Sequence, residues 1–216
     1  ASTISDILNT SDIFKELEEK GAENINLVTP SHYYYAVIKA LDIYKPKIPI
    51  VYNTGGYDTL SAIKALKGYI DIYLTDLKYL SPERAMAYSG AEDSPDYAAA
   101  SIAEEYRQQG ECVFKNGIMQ RGLIIRHLLL PQGTREAMRV FDFVRQNTPN
   151  AYFSIMSQYM PCGRAKDMPI INRRVTKREY DKVLDYICST GFERVYIQER
   201  GSADGRFIPP FDLEGV

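Results

Sequence analysis

Short apolar stretches alternate with amphipathic segments along this chain, and each apolar stretch ends in polar residues. Apolar runs bounded by turn residues are typical of buried strands, whereas apolar residues three and four positions apart are typical of helices. Strands that alternate with helices pair in parallel through right-handed crossovers. The pattern therefore predicts a strand–helix repeat with its polar groups at the carboxyl ends of the strands. The strand regions with their polar ends are 24–32, 50–57, 70–79, 123–131 and 152–159.

Capping and turn residues separate these strands. Thr176 and Glu179 have the spacing of a capping box. Asn116-Gly117 lies between two short apolar stretches, which predicts a hairpin over 113–121 that leads into the strand from residue 123. A final strand is expected at 194–198. The predicted helices are 12–20 with Ser11 as its cap, 33–44, 58–67 with Asp58 as its cap, 95–109, one capped by Thr134 and one capped by Thr176.

The composition is that of a soluble globular chain, because 45% of the 216 residues are hydrophobic and 25% are charged. A net charge of −2 gives no basic surface for a nucleic-acid backbone, and no apolar run is long enough to span a bilayer. Neither nucleic acid nor a membrane is therefore expected as a partner. No linker or charge block divides the chain, so we expect a single domain over 1–216 with an irregular tail at 201–216.

The three cysteines, Cys112, Cys162 and Cys188, are odd in number and widely scattered. This usage favours a reducing, cytoplasmic compartment over a disulfide framework, and no secretion signal is visible at the start of the sequence. The wide spacing also argues against a local zinc or iron–sulfur loop. With only two histidines in addition, the sequence predicts no metal ligands within this chain.

Two charged residues stand at the end of the third strand region. Asp76 and Lys78 are two positions apart, so both side chains point to the same face of the strand. Side by side they can form an ion pair, position a charged ligand, or do both. A purely structural ion pair at a strand end is the alternative. A desolvated Lys78 could also form a Schiff base with a carbonyl substrate.

Arg126 and His127 interrupt an otherwise apolar strand, and their side chains point to opposite faces. An unpaired buried guanidinium is very costly, so the face that carries Arg126 must supply an anion. Asp76 or a bound carboxylate would serve. We therefore expect Asp76, Lys78 and Arg126 to share one pocket with Asn53, and His127 to be a satisfied histidine beneath the covering helices.

A Gly55-Gly56 turn follows the second strand region, after Asn53 and Thr54. Glycines there let the backbone approach a ligand closely, and exposed N–H groups can bind a carboxylate. The turn has neither the lysine of a phosphate-binding P-loop nor the spacing of a dinucleotide-binding fingerprint.

Taken in order, five strings resemble the radical S-adenosylmethionine superfamily, and most closely the branch similar to pyruvate formate-lyase activating enzyme. They are 24–32, 49–57, 71–79, 122–131 and 155–161. The resemblance implies an α/β fold, a partial (β/α)6 TIM-like barrel of parallel strands whose first strand is missing. It also implies a [4Fe–4S] cluster and S-adenosylmethionine in the complete protein, whose reductive cleavage gives a radical that abstracts hydrogen. The implied partners are a glycyl radical enzyme as protein substrate and an electron donor.

The resemblance also assigns residues. Thr29 and Ser31 stand where the family has a Gly-Gly-Glu that contacts the amino group of the cofactor, which puts that contact in question. Asp76, Lys78 and Arg126 match positions near the methionine part and the substrate, and are the implied catalytic residues. The implied cofactor-binding residues are Thr29, Ser31, Asn53, Thr54, Gly55, Asp76, Lys78 and Arg126.

The chain departs from the family in one large respect, because it has no Cys-x-x-x-Cys-x-x-Cys triplet. We expect a fragment that begins after the first strand, is inactive alone and binds no cofactor tightly. The alternatives are a degenerate, cluster-free relative, a lyase or aldolase that uses Lys78, and a non-catalytic interaction module. A missing first strand would leave the strand from residue 24 with a bare edge. That edge is expected to be covered by the N-terminal segment, by the tail or by a homodimer.

Overall fold

A computed structural model describes residues 4–197 of the chain. Seven helices and seven strands alternate along them, with two short 3-10 helices at Pro30–His32 and Gly163–Asp167. In chain order the elements are α1 (Ile4–Glu19), β1 (Ile25–Val28), α2 (Tyr34–Ile43), β2 (Ile50–Thr54), α3 (Leu60–Ala65), β3 (Ile72–Asp76), α4 (Pro82–Ser89), α5 (Ser94–Gln109), β4 (Val113–Lys115), β5 (Ile118–Leu128), α6 (Thr134–Asn147), β6 (Tyr152–Met156), α7 (Lys177–Ser189) and β7 (Val195–Ile197).

The strands form a single curved sheet in the order β1-β2-β3-β5-β6-β7, with β4 paired to β5 outside this path. Every pair on the path is parallel, and only β4 runs antiparallel to its partner. Within residues 4–197, β1 and β7 do not pair, so the sheet is an open barrel. The predicted partial βα barrel and its sequential strand order are therefore confirmed.

Alternation along the strands gives the sheet two different faces. The outer face packs against the helices and holds the larger core, in which Tyr52, Tyr73, Phe141 and Phe153 are fully buried. The inner face lines the barrel lumen. Its lower part, toward the amino ends of the strands, is a smaller apolar cluster of Val51, Ile72, Met119 and their neighbours.

The predicted hairpin is confirmed, and it packs beside the apolar cluster at the lower end of the lumen. Asn116 and Gly117 both have positive φ, 53° and 80°, as a two-residue primed turn requires. β5 continues from this hairpin into the barrel without a break, so one strand of 11 residues serves both structures. Phe114 of β4 packs edge-on against Tyr152 of β6, with ring centroids 5.5 Å apart.

Several helix boundaries differ from the sequence predictions. α1 begins at Ile4 rather than at residue 12, because Ser11 is buried inside the helix and the Thr10 hydroxyl donates to the carbonyl of Asp6. The cap of α3 is Thr59, whose hydroxyl accepts from the amide of Ala62. α4 was not predicted at all.

At the later helices one boundary prediction is wrong and one is confirmed. Gly133, not Thr134, is the N-cap residue of α6. The capping box of α7 is present, with the Thr176 hydroxyl and the Glu179 carboxylate each accepting from the other's backbone amide. The predicted final strand is found as β7, whereas Gln198 and the predicted tail at 201–216 lie outside the described residues. None of the helices within residues 4–197 is long and apolar enough to cross a membrane.

Candidate functional site

Three polar side chains meet inside the upper lumen, at the carboxyl ends of neighbouring parallel strands. Asn53 of β2, Asp76 of β3 and Arg126 of β5 all lie on the inner face, and Asp76 and Arg126 are register partners. Asn53 and Asp76 lie on the same inner face as the apolar residues Val51 and Ile72, which stand nearer the amino ends of β2 and β3. The same strands therefore supply an apolar lower lumen and a polar upper lumen.

Arg126 joins the other two through its guanidinium group. Its Nε donates to Oδ1 of Asp76 at 2.7 Å, and its Nη2 donates to Oδ1 of Asn53 at 2.8 Å. The side chains of Arg126 and Asp76 remain 24% and 23% exposed, so the pair stands at an opening rather than inside the core. This is the pairing expected from the cost of burying a lone guanidinium. It fixes the orientation of both oxygen-bearing side chains.

Lys78 stands just beyond the end of β3, on the same side as Asp76. Its ammonium lies over the turn at Gly55, since a Cβ on that glycine would be 3.4 Å from Nζ. The side chain is exposed, and among residues 4–197 the ammonium has no ion-pair or hydrogen-bond partner. Lys78 is thus a positive charge at the mouth of the barrel that is available to an anionic group.

Two adjoining cavities open beside Lys78, and both are lined by Asp76, Lys78, Tyr79 and Ser89. The first, of about 230 Å³, continues over the glycine turn toward the start of α5. The second, of about 290 Å³, is mainly apolar and reaches the ends of β5 and β6. Its further lining residues are Leu128, Leu130, Met156 and Tyr159.

The Gly55-Gly56 turn is held tightly against the end of β3. Gly56 has φ +81°, and a Cβ there would fall 2.1 Å from the carbonyl oxygen of Asp76. Only glycine fits this approach. The Thr54 hydroxyl accepts from the amide of Gly56 at 3.1 Å and donates to Asp58, so the turn is fixed from the helix side.

The structure separates some of the predicted site residues from this cluster. Thr54 is buried on the outer face, opposite to Asn53. The Ser31 hydroxyl bonds to the phenol of Tyr52, which also belongs to the outer face. Thr29 is exposed beyond the end of β1, with φ 53°, and its amide donates to the carbonyl of Asn53. Of the predicted site residues, Gly55, Asp76 and Lys78 line the cavities, whereas Thr29, Ser31, Asn53, Thr54 and Arg126 line neither. Arg126 and Asn53 are connected to the cavities only through the hydrogen bond from Arg126 to Asp76.

The outer face carries buried ionisable groups of its own. His127 is buried beneath the helices, its Nδ1 is 2.8 Å from the carbonyl oxygen of Leu77, and burial lowers its pKa. The structural interpretation of His127 is therefore confirmed.

Glu105 of α5 is fully buried against β3 and was not predicted. Thr75 donates to one carboxyl oxygen, the other has no partner within the described part of the chain, and burial raises the pKa of Glu105 to about 8. The helical spacing of Ala98, Ile102 and Gln109 places them on the same face of α5 as Glu105, and this spacing could have predicted that Glu105 is buried.

The residues that the structure describes do not fit a metal cluster. Among residues 4–197 no three His, Cys, Asp or Glu side chains are grouped closely enough to hold a metal ion. Cys112 precedes the hairpin, Cys162 follows β6 and Cys188 lies in α7. A [4Fe–4S] cluster needs several thiolates at one place.

Comparison with known proteins shows which fold this chain shares with them. No protein-family model matches the chain. The uncharacterized protein MJ0674 of Methanocaldococcus jannaschii is 29% identical over 193 residues, which cover 87% of this chain and 53% of that protein. The chain thus spans about half the length of the curated relative that it matches.

Solved structures resemble the barrel. Streptococcus suis SuiB bound to S-adenosylmethionine superimposes with a TM-score of 0.60 at 13% identity, over 89% of this chain and 43% of SuiB. A second SuiB structure gives 0.58 at 14% identity, over the same shares of the two chains. A domain of pyruvate-formate lyase-activating enzyme from Bacteroides vulgatus gives 0.49 at 9% identity, over 92% of this chain and 96% of that domain. At these identities the SuiB likeness shows a shared fold, the open parallel βα barrel.

Proposed function

We propose that this chain is the S-adenosylmethionine-binding barrel of a radical S-adenosylmethionine enzyme of the glycyl-radical-enzyme activating type. The observation that carries the proposal is the cluster of Asp76, Arg126 and Asn53 with the free ammonium of Lys78, at the open upper end of a parallel barrel. The superposition on SuiB, a protein whose structure was solved with S-adenosylmethionine, supports the choice of ligand.

The residues of the upper lumen have the chemistry that this ligand requires. Lys78 suits the carboxylate of the methionine part, and the oxygens of Asp76 and Asn53 suit its ammonium group. The apolar cavity beside Leu128 and Met156 offers a surface for the adenosine part. When bound and reduced by one electron, the cofactor supplies a radical that abstracts hydrogen. The chain's own residues hold the cofactor and orient its charged end at the mouth of the barrel.

We do not propose that residues 4–197 supply the ligands of an iron–sulfur cluster, because the three cysteines among these residues lie apart in the fold. We place the ligands elsewhere in the complete protein and expect this chain alone to be inactive. The electron donor and a glycyl radical enzyme as substrate remain partners of the complete protein. The cytoplasm is the compartment that suits an oxygen-sensitive cluster.

The unpaired edge of β1 supports the inference that another strand pairs with it. Within the described residues β1 pairs only with β2, and Val28 is 68% exposed. The N-terminal helix α1 packs against α2 and adds no strand to this edge. We infer that a further strand of the complete protein, or a second copy of the chain, pairs there. Light scattering on this chain separates a monomer from a dimer.

Equilibrium dialysis with radiolabelled S-adenosylmethionine tests the proposal. We expect saturable binding, and we expect Lys78→Met to weaken it about tenfold or more, as the loss of a charge-assisted hydrogen bond does. Lys115→Met, on the exposed hairpin strand, is the matched control and should leave binding unchanged. Equal affinity of the Lys78 and Lys115 variants would refute the site.

The free ammonium of Lys78 beside an apolar cavity also favours a second candidate, a lyase or aldolase that forms a Schiff base. Borohydride reduction with a panel of small aldehydes and ketones distinguishes the two. Covalent mass addition at Lys78 would support the second candidate, and its absence together with saturable S-adenosylmethionine binding would support the first.

A further inference from the structure

The connection from β6 to α7, taken together with the first two residues of α7, carries a charge opposite to that of the rest of the chain. Residues 157–178 contain six basic side chains and one acidic one, Asp167, and so have a net charge of +5. The chain has 26 basic and 28 acidic residues in all, which leaves 20 basic against 27 acidic elsewhere, a net charge of −7. The six basic residues are Arg164, Lys166, Arg173, Arg174, Lys177 and Arg178.

This connection lies at the mouth of the barrel. It leaves the carboxyl end of β6, the same end of the parallel sheet at which Asp76 and Arg126 stand. Tyr159, near its start, lines the apolar cavity beside Lys78, and the Tyr159 hydroxyl donates to the carbonyl of Ile171 at 3.0 Å. The positive segment therefore borders the cavity beside Lys78 through Tyr159.

Most of its positive charges have no partner in the part of the chain that the structure describes. Arg173 is bound by Glu179 through two hydrogen bonds of 2.8 and 2.7 Å. Arg164, Lys166 and Arg174 are exposed and form no ion pair within residues 4–197. A solvated cluster in which basic side chains outnumber acidic ones is self-repelling and is stabilised by an anionic partner.

Apolar groups accompany these charges. Met86 of α4 is 56% exposed, and Met160 and Ile170 of the connection are 37% and 48% exposed. Between α4 and the 3-10 helix at Gly163–Asp167 lies a cavity of about 190 Å³, lined by Met86, Met168 and Arg164 among others. Methionine and arginine are enriched at protein interfaces, and a cavity of this size accepts an apolar side chain.

We propose that this surface, formed by Arg164, Lys166, Arg174, Met86 and the cavity beside it, docks an acidic protein that inserts one apolar side chain into the cavity. The inference goes beyond the proposed function and does not depend on which reaction the barrel performs. The apolar component favours a protein over a nucleic acid, whose backbone has no such side chain. The net charge of −7 outside the segment also repels an extended polyanion.

Fluorescence anisotropy with three labelled probes of equal net charge tests the proposal. The probes are a peptide of alternating glutamate and leucine, a peptide of alternating glutamate and serine, and oligothymidylate. We expect the glutamate–leucine peptide to bind most tightly. The triple variant Arg164→Glu, Lys166→Glu, Arg174→Glu should bind it about tenfold more weakly and with less dependence on salt.

The matched control reverses three exposed charges that lie away from the mouth, Lys67→Glu, Lys115→Glu and Arg121→Glu. It should leave the affinity within about twofold. Met86→Ser should weaken the glutamate–leucine peptide and leave the glutamate–serine peptide unchanged. Equal binding of the two peptides, tighter binding of oligothymidylate, or an equal loss in the control variant would each overturn the proposal.

Discussion

The lower and the upper halves of the barrel lumen are built from the same strands and differ completely in character. Val51 and Ile72 below, and Asn53 and Asp76 above, are separated by two and four positions along β2 and β3. The lower half is an apolar cluster, whereas the upper half holds a partly exposed ion pair and a free ammonium. A few residues along a strand are thus enough to separate the part that stabilises the fold from the part that can bind a ligand.

The largest effect is expected where the two parts meet, at the glycine turn. Gly56→Ala should lower the free energy of unfolding by about 4 kcal/mol. The cost of a left-handed backbone at alanine adds to the cost of the overlap between its Cβ and the Asp76 carbonyl oxygen. Gly68→Ala is the control, since Gly68 has φ +85° but open space around it, and should cost about 1 kcal/mol. Urea unfolding measures both, and equal losses would show that the close approach to Asp76 is not real.

A substitution in the lower lumen should change the stability of the fold and leave the affinity for S-adenosylmethionine unchanged. Ile72→Ala removes a side chain that is 5% exposed and should cost about 3 kcal/mol. The affinity for S-adenosylmethionine of the folded variant should be unchanged. Asp76→Asn, four positions along the same strand and face, should weaken S-adenosylmethionine binding and lower the free energy of unfolding less than Ile72→Ala does, because the Asp76–Arg126 pair is partly exposed. If both substitutions changed both quantities alike, the two halves would not be independent.

The outer face should give the fold a pH dependence through Glu105. Burial raises its pKa to about 8, so the folded state holds the proton more tightly than the unfolded state. Its contribution to the free energy of unfolding therefore falls as the pH rises from the ordinary carboxyl range toward 8, by up to about 1.4 kcal/mol per pH unit. Glu105→Gln keeps a partner for Thr75 and cannot titrate.

The measurement is urea unfolding of wild type and Glu105→Gln at several pH values. Between about pH 6 and pH 8 the wild type should lose about 2 kcal/mol relative to the variant. A constant difference between them would contradict the buried, protonated state of Glu105. S-adenosylmethionine binding should not follow this titration, because Glu105 lies on the opposite face from Asp76.

The smallest effects are expected at two consecutive residues, Asn53 and Thr54, whose side chains lie on opposite faces of β2. Thr54→Val removes a hydrogen bond to the buried Asp58 and should cost about 1.5 kcal/mol of stability without changing ligand affinity. Asn53→Ala should leave stability almost unchanged and weaken S-adenosylmethionine binding several-fold, because Arg126 loses one of its two partners. A loss of binding in the Thr54 variant would restore that residue to the site.

The strand order and the hairpin could be predicted from the sequence because each depends on a local signal, strand–helix alternation and an Asn-Gly turn. The Asp76–Arg126 pair could be predicted because a buried guanidinium needs an anion and both residues stand at strand ends. Thr54 was assigned to the site with Asn53, although the period of two places consecutive side chains on opposite faces. The start of α1 was missed because Ser11 resembles a cap. The burial of Glu105 depends on how α5 packs against β3, which no single segment specifies.

The most direct test of the account is the location of bound S-adenosylmethionine, measured by amide chemical shifts in a titration of the isotope-labelled chain. We expect the largest changes at Asn53, Gly55, Lys78 and Arg126, and almost none at Val51, Ile72 and Ile124 of the lower lumen. Changes confined to the lower lumen or to the outer helices, at saturating ligand, would contradict the assignment of the upper lumen as the binding site.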